Sequence, residues 1–523
     1  MPPVAMAPTQ NWQVRKPSVS STRGIVAAQN GAAAEVGAEI LAAGGTAVDA
    51  VVATAFALAV LEPWNSGLGG IGFMLAQPAG AARAEAVDFG PVSPQGLDPA
   101  AYPLTGATRT ELFTWPQVEG DRNMHGPLSF TIPSAVRGYA SATERFGRLP
   151  WRDLVMPAAR LARTGLPVDW YTTLKIATAA ADLRRYEESR RVWLPDGLPP
   201  VLPPEADRFA LPLGRLAATL ERLAAAGPDD FYAGDIAASI AADIGAADGV
   251  LSAADLAHCR VRLGPALDIP YHGARFAAAP GLCAGPTLAQ VLRRLDAQRF
   301  GARPDAAYFT ALVAALRQAY ADRLEHMGAG KAPAETSTTH VTAIDRDGGV
   351  AALTTTLLSV FGSRYVLPGT GILMNNGVMW FDPRPNRPNS LAPNKRALTN
   401  MCPLIVNRGD RSWFGAGASG GRRILAAIVQ TANFIVDFGM DVESAAHHPR
   451  IDVSGGERLS IDGRMAAAIR DRLLSEPGAA VVEHVVWPSR FACPNLVLRD
   501  DAGRNHGVTD AMSPWSAAVA EPE

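Results

Sequence analysis

The 523-residue sequence is poor in cysteine and aromatic residues and has no excess of either charge. Its four cysteines, Cys259, Cys283, Cys402 and Cys493, lie far apart and form no CxxC pair. That excludes a disulfide framework and a cysteine-rich zinc centre. With 48 basic residues against 50 acidic, the formal charge is −2. A nucleic-acid partner would require a basic surplus to neutralise phosphates, so none is expected. The longest apolar run, Ala50 to Leu61, is fenced by Asp49 and Glu62. It falls well short of the roughly 20 residues that cross a bilayer, so no membrane association is expected either. The opening residues hold no continuous apolar stretch of the secretory-signal kind, which makes a cytoplasmic location the expectation. What is abundant is apolar side chain: 48% of residues are hydrophobic and 19% charged, enough for a sizeable core. The length suits two to four domain-sized units or one large α/β body.

Residues 1–22 read as an extended tail. Ala33–Ala43 carries apolar residues at helical spacing and stops at Gly44-Gly45. Val48–Leu61 predicts a second helix, apolar all round and so deeply buried. Further helical patterns cover Trp151–Arg163, Leu211–Ala226, Leu288–Leu324 and Arg422–Val436. Thr105–Pro127 and the charged, proline-rich Arg184–Pro204 read as surface excursions. Met327–Ser337 is a loose segment of small residues. Beyond it Thr338–Ile344 alternates as a strand, Asp345–Gly349 (DRDGG) is a hairpin turn, and Val350–Leu357 is the returning strand. Leu404–Val406 and Ser412–Phe414 are also strand-like.

Three places invite chemistry. Gly67–Gly72 matches GxGxxG, but a helix precedes it and a strand follows. That is the reverse of the dinucleotide-binding order and favours a tight glycine turn. Gly417-Ala418-Ser419-Gly420-Gly421 matches the GxSxG nucleophile elbow between a strand and a helix. Ser419 would then need Asp452 and His484 or His506 as partners, leaving little chain for the later strands of such a fold. The third is Thr338. A threonine hydroxyl is a weak nucleophile without a base, but a break before Thr338 would free its own α-amine, with a pKa of about 7.7–8.0. The turn centred on Asp347-Gly348 sets position 338 opposite 356 or 357. A hydroxyl at Thr356 would then hold the Thr338 oxygen. The alternative is that these threonines only fill strand positions that suit β-branched residues.

Several stretches resemble the γ-glutamyltranspeptidases of the N-terminal-nucleophile hydrolase class. They are the block from Gly24 to Leu75, TTHVTAIDRDGGVAALTTTL (338–357), PGTGILMNNG (368–377), NSLAPNKRALTNMCP (389–403) and GASGGRRI (417–424). The resemblance implies an α+β fold, a four-layer αββα sandwich. It implies a proenzyme cut between Ser337 and Thr338 into a large chain (23–337, after the tail) and a small chain (338–523) that stay together. Thr338 would be the nucleophile and Thr356 its orienting partner. Gly420 and Gly421 would supply the oxyanion hole, making Ser419 incidental. No metal and no organic cofactor is implied. The partners are a small-molecule amide and water or an amine acceptor, and hydrolysis is expected to outweigh transfer.

The family's glutamate-binding pattern is broken. The arginine after the Asp-Phe pair of the early strand is Gly90, and the asparagine two residues beyond Thr356 is Leu358. After Asn375-Asn376 stands Gly377, and the aspartate three residues on is Trp380. The serine pair is Thr399-Asn400. Positions 358, 376, 380, 399 and 400 are therefore the expected substrate-binding residues, with an apolar or smaller acyl group favoured. Arg364, Arg396 or Asn400 could replace the lost carboxylate clamp. Two other readings remain: a serine hydrolase using Ser419, and a binding protein on this fold that never matures.

Overall fold

The computed structural model describes residues 14–108, 115–327, 337–454, 458–487 and 489–523. Two seven-stranded antiparallel sheets lie face to face. The first runs Ala517–Ala520, Ile25–Ala28, Ser337–Ile344, Val350–Leu358, Ile71–Gln77, Glu85–Phe89, Arg262–Pro265. The second runs Val19–Ser21, Asn505–Thr509, Cys493–Arg499, Arg411–Ser419, Leu404–Arg408, Ala274–Ala278, Leu267–Tyr271. Helices Gly31–Ala42, Ala47–Leu61 and Ala135–Phe146 cover the outer face of the first. Gly285–Asp296 and Arg423–Val436 cover the second, and Ala306–His326 packs on Gly285–Asp296. This is the expected αββα sandwich.

The side chains dictate the layering. Each inner strand is buried on both faces, so it carries almost no charge and reads as a run of alanine, valine, isoleucine and threonine. Ile25 and Ala27 point between the sheets, while Val26 and Ala28 point to the helices. Helix Ala47–Leu61 is buried at every position. Its Thr46–Asp49 capping box satisfies the N-terminal amides that no solvent can reach. At about 1.5–3 kcal/mol for each large apolar side chain withdrawn from water, this helix is a principal anchor of the first sheet.

Three expectations need revision. The single helical pattern of Leu288–Leu324 is two helices, Gly285–Asp296 and Ala306–His326. Gly301 and Pro304 occupy the break, and Asp305 caps the second helix by accepting from the Tyr308 amide at 2.9 Å. Arg184–Pro204 is not wholly a surface excursion, because it contains the helix Glu187–Trp193 with Val192 and Trp193 buried. Within Thr105–Pro127, Trp115 is buried and its indole N–H donates to the Met379 carbonyl at 3.2 Å. Much of the loose segment before Ser337 lies outside the described residues. The glycine-rich run at 67–72 is a tight turn, as read from its order. A side chain at Gly69 would overlap the Leu373 carbonyl, and Gly69 instead bridges to Met374.

Candidate active site

Strands Ser337–Ile344 and Val350–Leu358 form one hairpin, closed by Asp345 N–H to the Gly349 carbonyl at 2.9 Å and Gly348 N–H to the Asp345 carbonyl at 3.1 Å. Pairing is regular from Ile344↔Val350 to Thr339↔Thr355, then shifts by one residue to Ser337↔Leu358. Thr338 sits at that irregularity. Its Oγ1 lies 3.5 Å from Thr356 Oγ1, a long contact. The Thr356 hydroxyl donates to the Ser337 carbonyl and accepts from the Leu358 amide at 2.8 Å. The Ser337–Thr338 peptide is thus gripped on its carbonyl side by the residue facing it.

The period of two along the strand sorts its neighbours. His340 and Thr342 face the second sheet, where Gly417 leaves room for the imidazole. Burial pushes His340 down to about 3, and its ring nitrogens bond Thr354 at 2.9 Å and Thr342 at 2.6 Å. It is a neutral structural histidine. Thr339 faces the helices and donates to Glu62 Oε2 at 2.9 Å. Glu62 caps the C-terminus of Ala47–Leu61 and is pushed up to about 7. Burial is the main cause, and hydrogen bonds from Asn65 and Thr339 and the Lys175 charge oppose it.

Across the cleft, strand Arg411–Ser419 turns through Gly420 and Gly421 into helix Arg423–Val436. Gly420 has φ +135°, and a Cβ there would lie 2.7 Å from Ala492. Only glycine fits. The carbonyls of Gly420 and Gly421 accept the first helical bonds, from Arg423 N–H at 3.3 Å and Ile424 N–H at 3.1 Å. Ser419 Oγ accepts from the Gln29 amide. The partners a serine triad would need are engaged elsewhere. Asp452 accepts from Ser454 at 2.8 Å, and burial pushes it up to about 6. His484 lies between Asp462 (3.4 Å) and Asp510 (3.8 Å). His506 bonds Asp500 and Ser20, each at 2.9 Å.

Thr338, Ser337, Ser419 and Gly420 line one cleft, whose empty space is about 650 Å³ including its open mouth. Sequence reasoning missed its other walls: Glu62, Lys175, Arg423, Trp487 and Phe491. Lys175 carried a signal. It shares a buried helical stripe with Tyr171, Ala179 and Leu183, where a lysine is out of place. Its ammonium lies 5.0 Å from the Tyr171 ring centroid and 4.8 Å from that of Trp487.

The five positions read as substrate-binding are not among the described residues that line this cleft. Leu358, at φ 84°, and Trp380 are buried in one apolar cluster. Asn376 accepts from Ser359 N–H at 3.1 Å and donates to Ser359 Oγ at 2.8 Å and the Met124 carbonyl at 3.0 Å. The Thr399 carbonyl and the Asn400 side chain both accept from Arg323. Arg396 pairs with Asp88, and Arg364 donates to the Gly362 carbonyl at 2.6 Å. There is no space for an arginine where Gly90 stands, since a Cβ would meet the Phe73 ring at 2.9 Å. A side chain at Gly377 would overlap Thr131.

Comparison with known proteins places this geometry. The family model described as Gamma-glutamyltranspeptidase matches residues 33–333 and 325–520. The chain is 30% identical over 511 residues to the Acylase ACY 1 proenzyme of Pseudomonas sp. (strain SE83), covering 90% of each chain. It is also 30% identical over 489 residues to the Glutathione hydrolase proenzyme of Escherichia coli (strain K12), covering 83% of this chain and 81% of that one. A crystal structure of cephalosporin acylase from Bacillus halodurans superposes with a TM-score of 0.86 at 25% identity, over 99% of this chain and 100% of the other. With its αββα layers and a family match spanning nearly its whole length, the chain belongs to the gamma-glutamyltranspeptidase family of N-terminal-nucleophile hydrolases.

Proposed function

We propose that this enzyme cuts its own chain between Ser337 and Thr338 and then hydrolyses amides through an acyl ester on the Thr338 hydroxyl. The observation that carries this reading is the hydrogen-bond chain at the scissile peptide. Leu358 N–H donates to Thr356 Oγ1, and the Thr356 hydroxyl donates to the Ser337 carbonyl. Donation to that carbonyl draws electron density from its carbon, and Thr338 Oγ1 is held beside the same hydroxyl. In the self-cleavage step Oγ1 attacks the Ser337 carbonyl carbon, its proton passes to the leaving nitrogen and the C–N bond breaks, leaving Ser337 as an ester on Thr338 and the Thr338 α-amine free. Water then hydrolyses the ester, releasing the Ser337 carboxylate and restoring the Thr338 hydroxyl. No external base is needed afterwards. The new α-amine, with a pKa of about 7.7–8.0 in an unperturbed chain, takes the hydroxyl proton at each turnover.

In turnover, Oγ1 attacks the substrate carbonyl and the oxyanion meets the Gly420–Gly421 turn. The amides opening a helix have no intrahelical acceptor, so they are available to a developing negative charge. The leaving amine departs with a proton, and water releases the acid. The proenzyme names of the two relatives support the cleavage. The acyl group is better described as unlike γ-glutamyl, because packing fills positions 90 and 377 where the family's polar set would stand. Water is the favoured acceptor.

A denaturing gel and intact mass test this directly. Fragments of about 35 and about 20 kDa, with the smaller beginning at Thr338, are expected in place of one 55.0 kDa band. Incubation with an acyl p-nitroanilide should add the acyl mass to Thr338. A fully active preparation with residues 337 and 338 still joined would overturn the reading.

A further inference from the structure

Met512 and Ser513 line the cleft together with Thr338. They belong to a crossing, residues 510–516, that leaves the second sheet after Asn505–Thr509 and enters the first at Ala517–Ala520 with no helix or strand of its own. Such a segment must have its backbone polar groups satisfied from elsewhere. Asp510 fixes its start: the carboxylate accepts from Met512 N–H at 2.8 Å and pairs with the buried Arg450 at 2.6 Å. Lys16, from the stretch that the sequence presents as a tail, fixes its other end. The ammonium donates to the Ser513 carbonyl and, at 2.6 Å each, to the Ser516 carbonyl and the Ser516 hydroxyl. An ammonium has three protons, and three oxygens of one turn take them. Burial lowers the Lys16 pKa to about 8 and the Asp510 charge opposes this, so the group stays cationic at neutral pH. The chain beside Lys16 is fastened as well. Ser18 N–H donates to Glu443 at 2.8 Å, and Val19–Ser21 pairs with Asn505–Thr509. Lys16 therefore reaches the turn from a fixed base.

We propose that Lys16 is a positioning residue for substrate binding: a strap from the N-terminal segment that sets Met512 and Ser513 as a wall of the cleft. This rests on the reading of Thr338 as the acyl acceptor, which makes the cleft the place of the substrate. In the mature enzyme the contact joins the large chain to the small one. Lys16 is not among the described residues that line the cleft, and the hairpin and the glycine turn are held by other contacts. Its effect therefore falls on binding more than on the chemical step.

The test uses mature two-chain enzyme and acetyl-, butyryl- and phenylacetyl-p-nitroanilide, read with the one that wild type cleaves fastest. Lys16→Met should raise KM by at least about tenfold, the scale of a charge-assisted hydrogen bond. Its kcat should stay within about threefold of wild type, with self-cleavage complete. Lys16→Arg keeps the charge and the N–H donors, and should bring KM back to within about threefold of wild type. Ser516→Ala removes one of the three acceptors; it should raise KM by about threefold and add little to Lys16→Met in the double variant. An unchanged KM in Lys16→Met, or a loss confined to kcat or to melting temperature, overturns the role of Lys16 while acyl-Thr338 still forms. If Lys16→Met fails to mature, Ser516→Ala decides, and an unchanged KM there overturns the assignment. Absence of any acyl-Thr338 in wild type with all three probes instead overturns the underlying reading of the nucleophile, and this assignment with it.

Discussion

The two sides of the cleft are built differently. Around Thr338 a single hairpin supplies the strand that carries it and Thr356, the hydroxyl beside its Oγ1. The opposing wall joins Lys175, from a helix in the first half of the chain, to Trp487 and Phe491, from a loop near its end. The positions where the resemblance would put glutamate-binding residues, among them 90, 358, 377 and 380, are not among the described residues that line the cleft, and packing occupies them. Chemistry that depends on one turn and its register tolerates little drift. A wall assembled from distant segments can be rebuilt around another acyl group without disturbing the nucleophile.

The sharpest way to break this contrast is Thr338→Ala. It should leave one 55.0 kDa band on a denaturing gel and no measurable amidase activity. If activity persists, the hairpin is not the chemical side. Gly420→Ala comes next. The φ of +135° and the 2.7 Å approach to Ala492 force the turn to move, so kcat should fall by about 10²–10³-fold, as when an oxyanion donor is lost. On the recognition side, Gly90→Arg restores the family's residue but not its function. It should gain no γ-glutamyl-p-nitroanilide activity and should lower stability by about 1–3 kcal/mol in denaturant melts, because the Phe73 ring fills the space.

Glu62 tests the seam between the two sides through pH. Its carboxyl titrates near 7 when folded and near 4.5 as the ordinary value. The folded state therefore binds more protons over that interval, and stability falls as pH rises from about 4.5 to about 7. Glu62→Gln should flatten that fall by about 3 kcal/mol, read as the difference between the two proteins' pH–stability curves. The smallest expected effect is that of Ser419→Ala, which removes an acceptor for Gln29 and should cost less than about fivefold in kcat/KM. A loss as large as that of Thr338→Ala would restore the serine reading.

Much of the hairpin side was legible because it depends on short-range rules. The DRDGG turn sets the register, and the register sets Thr356 against Thr338. The one-residue irregularity at Thr338 was not, since alternation alone gives no reason for a bulge there. The αββα layering came from resemblance, and both-face burial explains why its central strands lack clean alternation. The recognition side was less legible, because a family pattern reports which residue replaced which, not whether the position faces the cleft. Leu358 and Trp380 are buried in one apolar cluster. Lys175 belongs to no motif, and only its place on an apolar helical stripe marks it. Glu62 was visible merely as a charge ending an apolar run, whereas its meaning depends on Thr339 in a strand far along the chain.

The strand that begins at Ser337 is hydrogen-bonded on one side to Ile25–Ala28 and on the other to Val350–Leu358, and Ile25–Ala28 is flanked in turn by Ala517–Ala520. Segments from before and after the proposed scission are therefore woven alternately through a single fabric. A nick at that point severs one thread without opening a seam. The fragments should co-elute as one particle on gel filtration and part only in denaturant, and once parted they should not re-knit into active enzyme on simple mixing.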